Sequence, residues 1–267
     1  MNTRPSAIAG YFYPDDAAKL QDQICKLLAY YADTASLPIA QAPAAIIVPH
    51  AGLSYSGDVA AAAFALLTKL KIRRVILLGP SHRVALNGCA LPGFDAFQTP
   101  LGDIAVDKSS CEALSLHRLA QVNKGAHVQE HSLEIHLPFL QLCLGEFSIL
   151  PLVVGQSTPT QVTNILQSCD AGDSDLILIS TDLSHFNTYQ GAQKRDRISI
   201  NRILSLEPSL SPQDACGCYS LNGFLHWLRL RSKSDNRPQL KLMKYANSGD
   251  YGGDKEQVVG YASFALC

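Results

Sequence analysis

Three histidines in this chain each stand just past a short apolar run. Ala44-Ala-Ile-Ile-Val-Pro leads into His50, and Val75-Ile-Leu-Leu-Gly-Pro-Ser leads into His82. Asp175-Leu-Ile-Leu-Ile-Ser180, followed by Thr-Asp-Leu-Ser, leads into His185. Imidazole, thiolate and carboxylate are the groups that hold a first-row transition metal, and a catalytic site keeps positions open beside them. Pro49 and Pro80 stiffen the approach to His50 and His82, and small residues flank both. One such histidine is as well explained as a loop side chain bonded to backbone. Three at the ends of neighbouring strands point to a shared site. Cys216 is the candidate third ligand. A helix opening at Pro212 and running to about Leu230 would place it near the positive helix end, where a thiol ionises more readily. A buried structural cysteine is the plain alternative. Cys218, two residues on, faces another side of that helix. His185 suits acid–base work, and Asp182 in the same loop either orients it or caps the loop.

Glu130-His-Ser-Leu-Glu-Ile-His136 comes close to a zinc motif without being one. HExxH and HxxEH keep their histidines four residues apart, and here the spacing is five. On a helix that sets His131 and His136 about 140° apart, so they do not share an ion. His131 and Glu134 fall on one helix face and are expected around the pocket or behind its ligands. Tyr55, between Gly52 and Gly57, either lines the pocket or belongs to a turn. His117, His127 and His226 have no partner pattern and read as surface or structural. No Walker A loop and no GxGxxG is present, so nothing points to nucleotide phosphates.

The elements that must position these groups alternate between buried strands and amphipathic helices. The runs before His50, His82 and His185 read as parallel strands covered on both faces, and ligands of such sheets bind outside the carboxyl ends. A helix capped by Asp15 or Asp16 runs to about Tyr31, and Ser54–Gly57 reads as a turn before an Ala-rich helix capped by Asp58. Residues 86–106, with Gly, Pro and short apolar pieces, suggest irregular strands or a hairpin. Helices are expected from Asp107, from Glu130 to about Leu144, from Thr158 to Cys169 and from Tyr189 to Leu204. A connector spans Pro38 to Pro43, and two antiparallel or edge strands close the chain. The expected architecture is one α/β domain, 1–267, with a mainly parallel central sheet flanked by helices.

The totals agree. The chain has 267 residues, 47% hydrophobic, a net charge of −1 and mean hydropathy near zero. Neutrality gives no reason to expect nucleic acid or an anionic membrane as partner. No apolar run approaches the roughly 18 residues of a membrane span, and the N-terminus lacks a secretory pattern. A cytoplasmic location follows, with the eight scattered cysteines reduced.

The ordered set Ala9-Gly-Tyr-Phe-Tyr-Pro14, Val48-Pro-His-Ala-Gly52 with Tyr55-Ser-Gly57, Leu78-Gly-Pro-Ser-His82, Glu130-His-Ser-Leu-Glu-Ile-His-Leu-Pro138, Ser180-Thr-Asp-Leu-Ser-His185 and Cys216-Gly217 resembles the Memo family, whose prokaryotic members are also called AmmeMemoRadiSam system protein B. That resemblance implies a LigB-like fold, similar to the class III extradiol dioxygenases. It implies iron or copper on His50, His82 and Cys216, with His185 as the acid–base residue, and a functional association with AMMECR1-like and radical SAM proteins. Where the dioxygenases use a carboxylate, this chain has a thiol, which is softer and speaks against catechol cleavage. Two functions stand side by side at this stage. One is a metal-dependent redox protein of unknown substrate, zinc being less expected than iron or copper. The other is a non-catalytic module binding a small molecule, peptide or partner protein in the strand-end cleft.

Overall fold

The computed structural model describes residues 2–33, 43–68, 70–231 and 239–266. Cys267 and most of the connector expected between Pro38 and Pro43 lie outside them. Four parallel strands form the middle of the sheet, in the spatial order Ser148–Val154, Arg74–Pro80, Asp175–Ser180 and Ala45–Val48. Their side chains alternate between two buried faces. Ile46, Val48, Val75, Leu77, Leu176 and Leu178 meet the helices Ala17–Asp33, Leu53–Phe64 and Leu137–Cys143 through Leu20, Ile24, Phe64 and Phe139. Ile47, Ile76, Leu78, Ile177 and Ile179 meet Pro159–Ser168, Tyr189–Leu204 and Cys218–Arg231 through Val162, Ile165, Ile203, Leu221 and Phe224. Burial on both faces is why these strands read as unbroken apolar runs rather than as alternating ones.

The two strands that lead to His50 and His82 both flank the one that leads to His185. Val48 lies beside Ser180, and the Thr181 N–H donates to the Val48 carbonyl at 2.9 Å. Their carboxyl ends therefore open onto one crevice, the expected ligand position in such a sheet. Antiparallel strands close the margins. Val258–Leu266 pairs with Ala45–Val48, with Leu240–Asn247 and with the short strand His185–Asn187, so it is interior, not an edge. On the far side, Gly102–Val106 runs parallel to Ser148–Val154 and forms an antiparallel hairpin with Ala96–Thr99, one of the two forms expected of that stretch. No helix among the described residues is long and apolar enough to cross a membrane.

Three helix boundaries differ from expectation. The Ala-rich helix starts at Leu53, so Ser54–Gly57 is its first turn rather than a loop, and Asp58 lies inside it, bonded to Tyr31, Tyr251 and Lys244. The helix expected from Glu130 is two, His131–Glu134 and Leu137–Cys143, the second opening with Pro138 in its first turn. Proline lacks an N–H to continue the first helix and suits the start of the next. The helix expected from Pro212 begins only at Cys218.

Candidate metal centre

His50 is 1% exposed and held on three sides. Its backbone N–H donates to Asp182 Oδ1 at 2.7 Å. Its Nδ1 lies 2.7 Å from Ser180 Oγ, which also lies 2.9 Å from His136 Nε2. The Ser180 hydroxyl donates its one proton to the Ser132 carbonyl at 2.6 Å. It therefore accepts from both rings, since a hydroxyl has one donor and two acceptor positions. This leaves His50 Nε2 with its lone pair directed at Cys216 Sγ, 3.2 Å away. Burial, then the neighbouring imidazoles, pushes the His50 pKa well below its usual value.

His82 is held the same way by a carboxylate. Its backbone N–H and ring Nδ1 donate to Glu130 Oε2 and Oε1 at 2.6 and 2.9 Å, which leaves Nε2 for a ligand. Burial alone would raise the Glu130 pKa, but hydrogen bonds from His82 and Ser132 hold it at about 2. The same carboxylate caps the one-turn helix that carries His131. The His131 ring stacks on His82 with centroids 4.5 Å apart and stands 5.4 Å from His50, and Phe12 covers it from the N-terminal arm at 5.0 Å. His131 Nδ1 comes within 3.3 Å of Glu130 Oε1, but misaligned for a hydrogen bond, and is buried without a partner.

Cys216 sits in the turn before the helix Cys218–Arg231, not one turn into it. That turn is tied to the 181–182 loop: the Cys216 N–H donates to the Asp182 carbonyl at 3.3 Å and the Gly217 N–H to Thr181 Oγ1 at 2.9 Å. The Asp182 N–H approaches Sγ at 3.3 Å. Burial first, and Asp182 second, push the Cys216 thiol up rather than down. The helix-end effect expected from the sequence is outweighed by loss of water and by a neighbouring carboxylate. A cation among these groups would reverse that balance. Asp182, raised by burial to about 6, places Oδ2 3.8 Å from His50 Nε2.

The described residues offer two sets of ligand atoms that lie within 4.8 Å of one another: His50 with His82 and His131, and His50 with Asp182 and Cys216. The side chains expected to share an ion, His50, His82 and Cys216, fall across these sets, with His50 in both. Two imidazole lone pairs, a thiol and a carboxylate fit a borderline to soft transition metal. His185 belongs to neither set. Its Nδ1–H donates to the Leu183 carbonyl at 2.9 Å, so Asp182 does not orient it. Asp182 is turned to His50 instead. Glu134 leaves the pocket altogether. Its buried carboxylate pairs with Arg4 at 2.6 Å and accepts from the Ala7 and Ile8 N–H groups and from Tyr13. It anchors the N-terminal arm behind His131. Tyr55, 43% exposed, stands in the first turn of Leu53–Phe64. Ser180, Glu130 and His136 were not expected in the site. Glu130 adjoins a candidate histidine, but nothing in the spacing says which ring it holds.

The molecule is thus an α/β protein with soft and borderline metal donors gathered at the carboxyl ends of its central strands. A family model described as Memo-like protein matches residues 4–265. Similar chains, each described as a MEMO1 family protein, come from Methanobrevibacter smithii, 32% identical over 97% of this chain and 98% of that one, and from Ignicoccus hospitalis, 31% identical over 98% of each. Another, from Sulfolobus acidocaldarius, is 31% identical over 97% and 98%. The chain belongs to the Memo-like family.

Proposed function

We propose that the protein is a metal-dependent redox protein in which His50, His82 and Cys216 hold iron or copper and His185 moves a proton. The observation that carries this is the fixed direction of two imidazoles. Ser180 and Glu130 occupy the Nδ1 atoms, so both Nε2 lone pairs are left for the crevice that Cys216 enters. Metal-binding histidines are usually held by a partner at the other ring nitrogen. A thiolate with two imidazoles suits iron or copper, and zinc suits the ligands but not redox work. The metal would supply electron transfer and activation of a bound small molecule.

The protein side of the chemistry is proton handling and enclosure. With Nδ1–H committed to Leu183, His185 keeps Nε2 as the proton acceptor. Asp182, whose pKa burial pushes up to about 6, is a further group placed to take up a proton. The fold and the thiol favour a LigB-like frame whose reaction is not extradiol cleavage. All seven described cysteines are free thiols, which supports a reducing cytoplasm. The family resemblance supports a functional association with AMMECR1-like and radical SAM proteins, beside a small molecule or peptide in the strand-end cleft.

The test is metal content after anaerobic purification of the wild type, His50→Ala and Cys216→Ala. Stoichiometric iron or copper in the wild type, lost in both variants, is expected. Metal retained by either variant overturns the ligand assignment. A wild type that takes up no metal after reconstitution favours the non-catalytic binding module.

A further inference from the structure

We infer that Phe186 is the residue that selects the ligand of this crevice, by offering a flat apolar face beside His185 to a planar ring on a small molecule. The inference deepens the reading of the crevice as a metal-centred ligand site and rests on it. Four non-glycine residues among those described have positive φ: Arg118, Asp170, Phe186 and Leu206. Arg118, Asp170 and Leu206 each directly follow the C-cap of a helix. There the left-handed conformation closes the helix, as in the Leu119 N–H bond to the Leu114 carbonyl at 2.9 Å, and the strain is offset by capped carbonyls.

Phe186 has φ +58° and closes no helix. It is the extra residue of a β-bulge: His185 and Asn187 face Val259 and Val258, which are adjacent, so Phe186 has no partner across the ladder. A bulge residue in this conformation is ordinarily glycine. Here it is a phenylalanine, and its side chain is not used to fill the core, since the residue is 75% exposed. The fold thus carries a left-handed backbone and an exposed aromatic at one position. Strained residues of this kind cluster at ligand sites. The ring centroid lies 5.8 Å from that of His185, in a tilted arrangement, which sets the apolar face next to the group proposed to move the proton.

The experiment uses two metal-chelating probes that differ in one ring, benzohydroxamate and acetohydroxamate, titrated into cobalt(II)-loaded protein by calorimetry under anaerobic conditions. The wild type is expected to prefer the aryl probe by roughly 2- to 12-fold beyond the preference of cobalt(II) alone, the range for an aromatic contact. Phe186→Leu and Phe186→Gly should abolish that excess, and Phe186→Tyr should keep it. Phe186→Gly should also shift urea unfolding to higher concentration, because glycine adopts this φ without strain. An excess preference unchanged in the glycine and leucine variants, or a glycine variant that unfolds more easily, overturns the inference. If the acyl chelators bind but the wild type shows no ring preference, the inference on Phe186 falls while the metal site stands. If neither probe binds the protein and no cobalt is retained, the metal-centred reading falls and takes this inference with it.

Discussion

At the scale of single residues, the centre of the site is a serine hydroxyl. Ser180 Oγ meets three groups, and its single proton goes to the Ser132 carbonyl, so it fixes the protons of His50 and His136. Replacing it with alanine leaves two buried ring N–H groups and one carbonyl without their partner. His50 is then free to turn its proton to Nε2, the atom a metal needs. Ser180→Ala is expected to weaken metal affinity about 10- to 100-fold, the usual effect of removing a group that orients a ligand. Competition against a chelator measures this, with the cobalt(II) absorption band reporting the geometry of the ligand set. An affinity within about twofold of wild type would show that packing alone orients His50. The residue types of the candidate site were legible in the sequence because histidines stand out after apolar runs and Cys216 after a helix-start pattern. The residues that aim them were not. Serine and glutamate are common at strand ends and helix caps, and only the folded chain brings Ser132, His136 and Ser180 to one point.

At the scale of elements, the site depends on three strand ends and one turn meeting at the correct height. The strands were readable because both faces are buried, so their composition is apolar from end to end. The turn before Cys218–Arg231 was not, because Pro212-Gln-Asp-Ala-Cys216 has the composition of a helix start while its backbone is diverted to the 181–182 loop. Gly217 shows what that diversion requires. A Cβ added there would lie 2.5 Å from the Ser180 carbonyl oxygen and 2.7 Å from Thr181 Cβ. Both belong to the strand end itself and have little room to yield. Gly217→Ala should push the turn outward, carry Sγ away from His50 and abolish stoichiometric metal binding while His50 and His82 remain in place. The helices on that face are otherwise untouched, so a folded, metal-poor protein is expected. Circular dichroism checks the first property and elemental analysis the second. A variant that binds metal like the wild type would mean the turn has slack that these distances do not allow. The split at Ile135-His136 has the same lesson. The periodicity from 130 to 144 is continuous, but the chain breaks after the one-turn helix His131–Glu134, in which Glu134 reaches Arg4 while His131 stacks on His82.

At the scale of the whole molecule, the packing that builds the site also sets how the protein responds to acid. His50, His127, His131 and His136 are all held neutral chiefly by burial. His127 and His131 titrate at about 4 and His136 at about 3, against an ordinary value of 6.5, and His50 is also well below it. Below pH 6.5 the unfolded chain takes up protons that the folded chain refuses, so stability falls as pH falls and continues to fall to about pH 4. At pH 5 His127 and His136 alone should each remove ~2 kcal/mol. Asp182 acts in the opposite direction: its folded value of about 6 lies above the usual carboxylate range, so the folded chain binds that proton first and gains ~1 kcal/mol at pH 5. Asp196, also raised by burial, acts in the same direction as Asp182, and four imidazoles against these two carboxylates still leave a net loss. Metal-free protein unfolded in urea at pH 7.5, 6 and 5 should therefore show a midpoint that drops steeply between the last two values. His127→Gln should make that drop shallower while leaving metal uptake unchanged, because His127 bonds the Ala90 carbonyl and belongs to neither candidate ligand set. A midpoint flat from pH 7.5 to pH 5 would mean that these rings accept protons in place, and hence that water reaches them in the folded chain.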